Sequence, residues 1–427
     1  MASLTIKYDR CFFLIILLCL LTNGFNLWPF GIMENIGRGF PTLLLTLAWM
    51  WYGVRRFESR KKHYHDINHF VLIFFISILP SVWMAKHLFN QSLFQSIISY
   101  RTLAYFLVIP CLIKIRPTIG DIVRGIMVFS GISLFFSILA TLGFDFLFQY
   151  SEETLRRMKE RLLLDKETSI FINNLPGYPL FTIPLYYYCQ KIIEKFNLDY
   201  ALNIVYLFIL LFLAQNRSCL FPALLFTGLS FLRANVRPRM TKWAMLFLIG
   251  IVGLIFMGDT FISLFEETDK QVTSTYDPRV VAMGYFLDFS RMSVGEILFG
   301  TGKISFVTSN YVETLQESHI HYSDVGFVGF WSQFGIAPVI LFCYFLLRAF
   351  FSKKSPIFLK YLSAHILICS VTISYFDTPI ATTWFSLCYY LFVLTQQSEV
   401  SIVRGKYKNM KHPHKFSNGG SKYFIGV

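Results

Sequence analysis

Residues 68–89 read NHFVLIFFISILPSVWMAKHLF and contain no Asp, Glu, Lys or Arg before Lys86. A helix needs about 20 mainly apolar residues to cross the hydrocarbon layer of a membrane, because every backbone amide must find its partner within the segment. This stretch meets both conditions. It predicts a membrane-spanning helix, and comparable apolar stretches recur along the chain.

The composition of the whole chain has the same character. Of its 427 residues, 55% are hydrophobic and 15% are charged, and the mean hydropathy is +0.52. Soluble domains carry roughly 25% charged residues, so this chain cannot cover a water-exposed surface. We therefore predict an all-α, polytopic membrane protein with about 12 transmembrane helices. The candidate spans are 11–28, 39–54, 68–89, 93–113, 122–142, 175–190, 200–215, 217–232, 242–258, 323–347, 357–375 and 379–397.

Basic residues are unevenly distributed over the predicted loops. With the N-terminus inside, 26 of the 39 Lys and Arg residues fall in cytoplasmic segments, and 18 of the 25 acidic residues fall outside. Cytoplasmic loops of membrane proteins are enriched in Lys and Arg, so we expect both termini in the cytoplasm. This sorting also accounts for the net charge of +14 without nucleic acid as a partner.

Two of the predicted outer segments are long. Residues 143–174 follow the fifth span, and residues 259–322 lie immediately before the tenth. Loops of this length without a domain of their own are often functional. We predict one transmembrane domain over residues 1–398, with these two segments as extracytoplasmic loops. A basic, disordered cytoplasmic tail is expected over residues 399–427.

The spacing of the cysteines indicates neither a disulfide framework nor a metal centre. All eight lie in or beside apolar stretches, and no two have the CxxC spacing. The chain also lacks the GxxxxGK[ST], DxD and HExxH motifs. We therefore expect buried structural thiols, no bound metal and no cofactor.

Charged residues at membrane depth are costly and are candidates for function. Arg217 opens the eighth span in the sequence AQNRS, and Arg101 lies inside the fourth in the sequence SYRTL. Each has a structural alternative. Arg217 could anchor its helix at the interface by snorkelling outward, and Arg101 could pair with a neighbouring helix.

The long loop before the tenth span contains a second polar group. Arg279 begins a helical stretch, residues 299–302 read FGTG, and His319, His321 and Asp324 lie just before the span. Two histidines at positions i and i+2 do not share a helix face, which argues against a helical metal pair. Beside an acid they suit proton transfer or a hydrogen bond to a sugar hydroxyl. They could also be solvated loop residues.

In order and topology, these features resemble the O-antigen polymerase and O-antigen ligase superfamily of bacterial surface-glycan enzymes. Arg217 resembles the family's arginine at an outer helix start, and Arg279 with the FGTG motif resembles its loop arginine and Gly-x-Gly. His319 or His321 resembles its loop histidine. A glycine-punctuated span containing Phe-Gly-Ile follows, as in the family.

The resemblance covers about residues 200–345, and the first half of the chain matches only in having many apolar spans. The family often has Asn after the loop histidine, whereas Ile320 and Tyr322 occupy the two possible positions here. The choice between the two histidines therefore stays open.

The resemblance implies transfer of a glycan from a polyprenyl diphosphate carrier to an acceptor hydroxyl. Arginine makes bidentate, permanently charged contacts to phosphate. The candidate diphosphate-binding residues are accordingly Arg217, Arg279 and Arg101. A general base must take the proton of the acceptor hydroxyl. The candidate catalytic residues are His321, His319 and Asp324, with Glu317 as a further carboxylate if the histidines only orient the acceptor.

The favoured function is polymerisation of undecaprenyl-diphosphate-linked repeat units into O-antigen or exopolysaccharide at the bacterial plasma (inner) membrane. Its expected partners are the carrier-linked donor and acceptor, membrane lipid, a chain-length regulator and a flippase. The alternative within the family is a ligase that transfers finished glycan to a lipid A core. A transporter or lipid-linked sugar flippase would predict internal repeats and polar groups at the midplane. A non-catalytic structural or sensory protein would leave the arginines and histidines without a shared role.

Overall fold

The computed structural model describes residues 2–22, 39–57, 65–141, 175, 177–214, 217–234, 278–288, 292–304, 325–373 and 378–410. Within these ranges every regular element is a helix and none is a strand, which confirms the all-α class. The α-helices are α1 (Ala2–Leu21), α2 (Gly39–Phe57), α3 (His65–Phe89), α4 (Leu93–Ser99), α5 (Val108–Ile115), α6 (Ile119–Thr141), α7 (Thr182–Glu194), α8 (Leu198–Leu213), α9 (Arg217–Arg233), α10 (Pro278–Phe286), α11 (Val294–Phe299), α12 (Gly326–Phe334), α13 (Ile336–Phe351), α14 (Ile357–Cys369) and α15 (Pro379–Met410). The 3₁₀ helices Arg101–Leu107 and Tyr178–Phe181 precede α5 and α7.

Among the residues that the structure describes, two helices are long and apolar enough to cross a membrane. Their apolar segments are Val71–Phe89 in α3 and Ile119–Ile138 in α6. The bent pair Leu93–Ser99 and Arg101–Ile115 forms a third if it counts as one span. The chain thus has the helices of a membrane protein, and shorter apolar helices accompany them. These are Arg10–Leu21, Leu198–Leu213, Ser218–Arg233, Ile336–Phe351 and Ile357–Cys369.

The total of twelve spans stays a prediction. Several predicted spans correspond to helices of fewer than 18 residues. The predicted ninth span, 242–258, lies outside the described residues, as does the predicted loop 143–174.

Helix α3 shows how apolar side chains are divided between the core and the outer surface. Phe74 and Ile78 are buried, whereas Ile76, Leu79 and Trp83 are 54%, 62% and 59% exposed. A soluble protein rarely exposes a contiguous apolar face of this kind. The exposed face is the one expected to contact lipid chains.

Two of the predicted spans are broken rather than continuous. The fourth bends by 54° at the break between α4 and the 3₁₀ helix Arg101–Leu107. The tenth is interrupted at Gly335, whose φ of +83° separates the end of α12 from the start of α13. Glycine enters this left-handed region without the steric cost of a Cβ atom. Hydropathy alone does not register such breaks, because the apolar run continues through them.

The last helix is longer than the predicted twelfth span. Helix α15 runs from Pro379 to Met410 and so includes the beginning of the segment expected to be a disordered tail. Between Pro379 and Gly405 the sequence contains neither proline nor glycine, so nothing in it ends the helix at 397. Residues 411–427 lie outside the described part of the chain.

The helices pack with two distinct ends. At one end the hydroxyl of Tyr390 donates to the carbonyl of Pro117 (2.8 Å), and Arg233 Nη1 donates to the hydroxyl of Tyr361 (3.2 Å). At the opposite end, the backbone N–H of Phe327 in α12 donates to the carbonyl of Ser370, just after α14 (2.8 Å).

Candidate functional site

The FGTG motif at residues 299–302 lies against the break at Gly335. The backbone N–H of Thr301 donates to the carbonyl of Ser332 (2.7 Å), and that of Gly302 donates to the carbonyl of Gln333 (3.0 Å). Gly300 has a φ of +75°, and a Cβ atom there would lie 2.6 Å from the nitrogen of Gly335. The contact is therefore between two backbones, and it requires a residue without a side chain.

The second glycine of the motif contacts α3. A Cβ atom on Gly302, whose φ is +81°, would lie 2.3 Å from the carbonyl oxygen of Ser81. Lys303, the residue after Gly302, is hydrogen-bonded to Tyr100, at which the fourth predicted span is broken. The backbone N–H of Lys303 donates to the hydroxyl of Tyr100 (3.0 Å), which also shares a hydrogen bond of 2.8 Å with the hydroxyl of Ser81.

A buried amide completes this attachment. Gln91, between α3 and α4, donates from Nε2 to the carbonyl of Lys303 (3.1 Å) and to the hydroxyl of Ser96 (2.9 Å). The loop is thus held by α3, by the start of α4, by Tyr100 and by the end of α12. We call residues 300–303 the glycine loop and this end of the bundle the motif end.

Arg101 lies at the break beside the glycine loop. It follows Tyr100 directly, opens the 3₁₀ helix Arg101–Leu107 and is half-buried. Membrane proteins frequently place polar groups where a helix is interrupted, since the freed backbone groups and the polar side chain then serve one site. The structure therefore brings together two of the regions singled out by sequence, the surroundings of Arg101 and the FGTG motif.

The helix that begins with Pro278 and Arg279 packs at the same end. Ala282 and Phe286 of α10 form a small buried cluster with Ile304 and Val325. Ile304 follows the glycine loop, and Val325 precedes α12. The side chain of Arg279 itself is outside the described part of the structure.

The predicted catalytic residues His319, His321 and Asp324, together with Glu317, lie outside the described residues. The described chain resumes at Val325, which is buried in the cluster with Phe286. The residue after Asp324 thus belongs to the motif end.

Arg217 is the first residue of α9, and two hydrogen bonds to backbone carbonyls link the start of α9 to α12 through the end of α14. The thiol of Cys369 donates to the carbonyl of Ser218 (3.0 Å), and the adjacent Ser370 accepts the hydrogen bond from Phe327. The start of α9, the end of α14 and the start of α12 are therefore neighbours. The side chain of Arg217 is not among the described ones.

Two buried polar atoms near the glycine loop have no hydrogen-bond partner among the described residues. These are the hydroxyl of Ser332 and Oε1 of Gln333, and both side chains are 3% exposed. Native proteins pair the large majority of such atoms, so exceptions call for water, an ion or a ligand. Ser332 and Gln333 thus accept the backbone hydrogen bonds of the glycine loop with their carbonyls, and each also has a side-chain oxygen without a partner among the described residues.

A second polar cluster was not predicted from the sequence. Cys219 of α9 and His365 and Cys369 of α14 are buried, and their potential ligand atoms lie within 4.8 Å of one another. The two sulfur atoms are 3.7 Å apart. The i, i+4 spacing of His365 and Cys369 was the available sequence signal, because it puts both on one helix face.

No family model matches the chain, and no curated protein is significantly similar to it.

Proposed function

We propose that the chain is a membrane glycosyltransferase that polymerises polyprenyl-diphosphate-linked oligosaccharide repeat units at the outer face of the bacterial plasma membrane. The observation that carries this proposal is the attachment of the glycine loop to the break at Tyr100. It brings a half-buried arginine, Arg101, to the same end of the bundle as α10, whose second residue is Arg279, and α12, which follows Asp324.

The reaction requires cations beside the leaving group. As the bond between the anomeric carbon and the diphosphate breaks, its electron pair passes to the diphosphate oxygen. Arginine is suited to hold this growing charge, because its fork binds two phosphate oxygens and never loses its proton near neutral pH. Arg217, Arg279 and Arg101 are assigned this role.

The attacking hydroxyl must lose its proton to a base. All three candidate bases precede the buried start of α12. His321 is the first candidate because it is the histidine nearer to that start, His319 is the second, and Asp324 is the third. The proton moves from the acceptor oxygen to the imidazole or carboxylate as the new carbon–oxygen bond forms. No change of oxidation state occurs, and the products are a longer carrier-linked glycan and a free polyprenyl diphosphate.

The two ends of the helix bundle support the topology that this reaction needs. The ends of α3 and α14 and the starts of α4, α9 and α12 meet at the motif end. From the basic-residue count we infer that all five lie outside the cytoplasm, the side on which lipid-linked repeat units would be polymerised.

The purified protein in vesicles supplies the test. Carrier-linked single repeat units are added alone or with a lipid A core acceptor, and carrier-linked glycans and free polyprenyl diphosphate are measured. A polymerase elongates the glycan without the core and releases one polyprenyl diphosphate per bond formed. Transfer only to the core identifies a ligase, and movement of the intact lipid across the bilayer without a new bond identifies a flippase. Either result would refute polymerisation.

A further inference from the structure

Near the start of α9, the helices α9 and α14 bring three side chains of metal-binding types together in the buried interior. Cys219 is the third residue of α9, and His365 and Cys369 lie four residues apart on α14. All three are at most 1% exposed. Two of them, Cys219 and Cys369, are 150 residues apart in sequence. Only the packing of α9 on α14 brings the set together.

The spacing of the sulfur atoms is that of a tetrahedral metal complex. Zinc–sulfur bonds are about 2.3 Å long, so two thiolates on one tetrahedral ion are roughly 3.8 Å apart. The Sγ atoms of Cys219 and Cys369 are 3.7 Å apart. A disulfide bond would require about 2.05 Å. Two reduced thiols at this distance share an S–H···S hydrogen bond, and a tetrahedral ion fits the same distance with no rearrangement of α9 relative to α14. Cys369 would then give up its hydrogen bond to the carbonyl of Ser218.

The imidazole of His365 has one nitrogen in use and one unused. Nδ1 is hydrogen-bonded to the hydroxyl of Tyr186 on α7, and Nε2 is buried without a hydrogen-bond partner in the described structure. Metal-bound histidines commonly have their second nitrogen fixed by a hydrogen bond in this way. Tyr186 therefore has the position of an orienting residue, and Nε2 is the nitrogen left to bind an ion.

The charge of the set selects the ion. Two thiolates, one neutral imidazole and one divalent cation give a complex with no net charge, whereas a monovalent ion would leave a buried negative charge, which an apolar interior penalises. Thiolate and imidazole favour zinc-like ions over Mg²⁺ or Ca²⁺, which prefer oxygen.

We propose that Cys219, His365 and Cys369 form a binding site for a soft divalent metal ion of the zinc class, oriented by Tyr186. The ion displaces the two thiol protons to solvent and accepts electron pairs from two sulfurs and Nε2, which leaves a fourth position open. Bound there, it ties the first turn of α9 to the end of α14. The inference does not rest on the proposed polymerase function.

Cobalt(II) is the probe, because thiolate-bound Co²⁺ absorbs strongly in the near ultraviolet and histidine-only sites do not. The full-length, untagged protein is purified in detergent, stripped of metal and titrated with CoCl₂. The site predicts one thiolate-bound Co²⁺ per chain, displaced by Zn²⁺, with two protons released per ion. Binding by the histidines of the C-terminal segment would lack the thiolate band. Absence of that band from the wild type overturns the proposal without any variant.

Matched variants assign the ligands. Cys219→Ser and Cys369→Ser each lose one thiolate and its share of the absorption, whereas Cys111→Ser retains the full band, although Cys111 is also a buried thiol that contacts a backbone carbonyl, that of Met50. Tyr186→Phe keeps the band but binds Co²⁺ roughly 10- to 100-fold more weakly, the usual effect of removing an orienting residue. Tyr187→Phe, one position along the same helix, binds normally. Equal losses in Cys111→Ser and Cys219→Ser would refute the assignment.

Discussion

The backbone N–H of Lys303 donates a 3.0 Å hydrogen bond to the hydroxyl of Tyr100, a residue 203 positions earlier in the chain. Tyr100 is the residue at which the fourth span bends, and Lys303 ends the glycine loop. One phenol thus connects the long loop before α12 to the break that carries Arg101.

Replacement of Tyr100 by Phe tests that connection. The change deletes the acceptor for the N–H of Lys303 and one of two partners of the Ser81 hydroxyl, which keeps its hydrogen bond to the carbonyl of Ile78. A buried group left without its partner costs about 1–3 kcal/mol, so the thermal unfolding midpoint in detergent should fall. Tyr344→Phe, whose side chain is 56% exposed, should unfold as the wild type does. Equal midpoints for wild type and Tyr100→Phe would show that the loop is not held there.

A single added methyl group should disrupt the glycine loop. In Gly300→Ala the new Cβ would lie 2.6–2.7 Å from backbone atoms of Gln333 and Gly335, and φ would remain near +75°. Strain at such a position costs about 1–3 kcal/mol before the clash is counted. We expect loss of polymer and a lower unfolding midpoint.

Gly295→Ala is the matched control for that change. Gly295 lies in α11, and its added Cβ would meet only side-chain atoms at 3.7 Å and beyond. Alanine there should be neutral or stabilising by about 0.4–1 kcal/mol. Normal polymer from Gly300→Ala would remove the glycine loop from the account.

The break at Gly335 and the Cys219–His365–Cys369 cluster mark the limit of prediction from this sequence. Apolar run length locates α3 and α6 correctly, because the cost of an unpaired amide in lipid acts on each segment separately. The division of the tenth predicted span into α12 and α13 occurs instead at one residue, Gly335, whose positive φ the apolar run does not reveal. The Cys219–His365–Cys369 cluster depends on contact between α9 and α14, and a local pattern encodes only the i, i+4 pair of His365 and Cys369. The FGTG motif was predicted in part. Its glycines indicate a tight turn, but they do not indicate which helices that turn contacts.

Variants of Arg217 distinguish two roles for this residue, diphosphate binding and anchoring of α9 at the membrane interface. An arginine–phosphate contact is worth about 1.5–3 kcal/mol, and about 1.36 kcal/mol corresponds to a tenfold change in rate. Arg217→Ala should therefore slow polymerisation by roughly 10- to 100-fold while the protein still inserts. Arg217→Lys keeps the charge but loses the fork, so we expect an intermediate rate.

Glycan chain length in both Arg217 variants, with membrane levels checked by immunoblot, gives the answer. Full activity of Arg217→Lys together with only a mild defect in Arg217→Ala would identify an anchor at the interface. The single carrier-linked unit should accumulate in Arg217→Ala if the diphosphate role is correct.

The two loop histidines give a separate prediction about the general base. His321→Ala should abolish polymer at normal protein levels, because His321 precedes the buried start of α12 most closely. His319→Ala is the comparison variant, and a complete loss there with activity in His321→Ala would exchange their roles. If the double variant makes normal polymer, neither histidine is the base, and Asp324→Asn becomes the decisive change.

Polymerisation is tested most directly by the surface polysaccharide of a strain from which the gene is deleted, separated on a gel. If the protein is the polymerase, the ladder of chain lengths disappears while glycan carrying one repeat unit remains. Complementation with the wild-type gene should restore the ladder, and the Arg217→Ala gene should restore only short chains. Loss of all attached glycan would indicate a ligase, and an unchanged ladder in the deletion strain would contradict the account altogether.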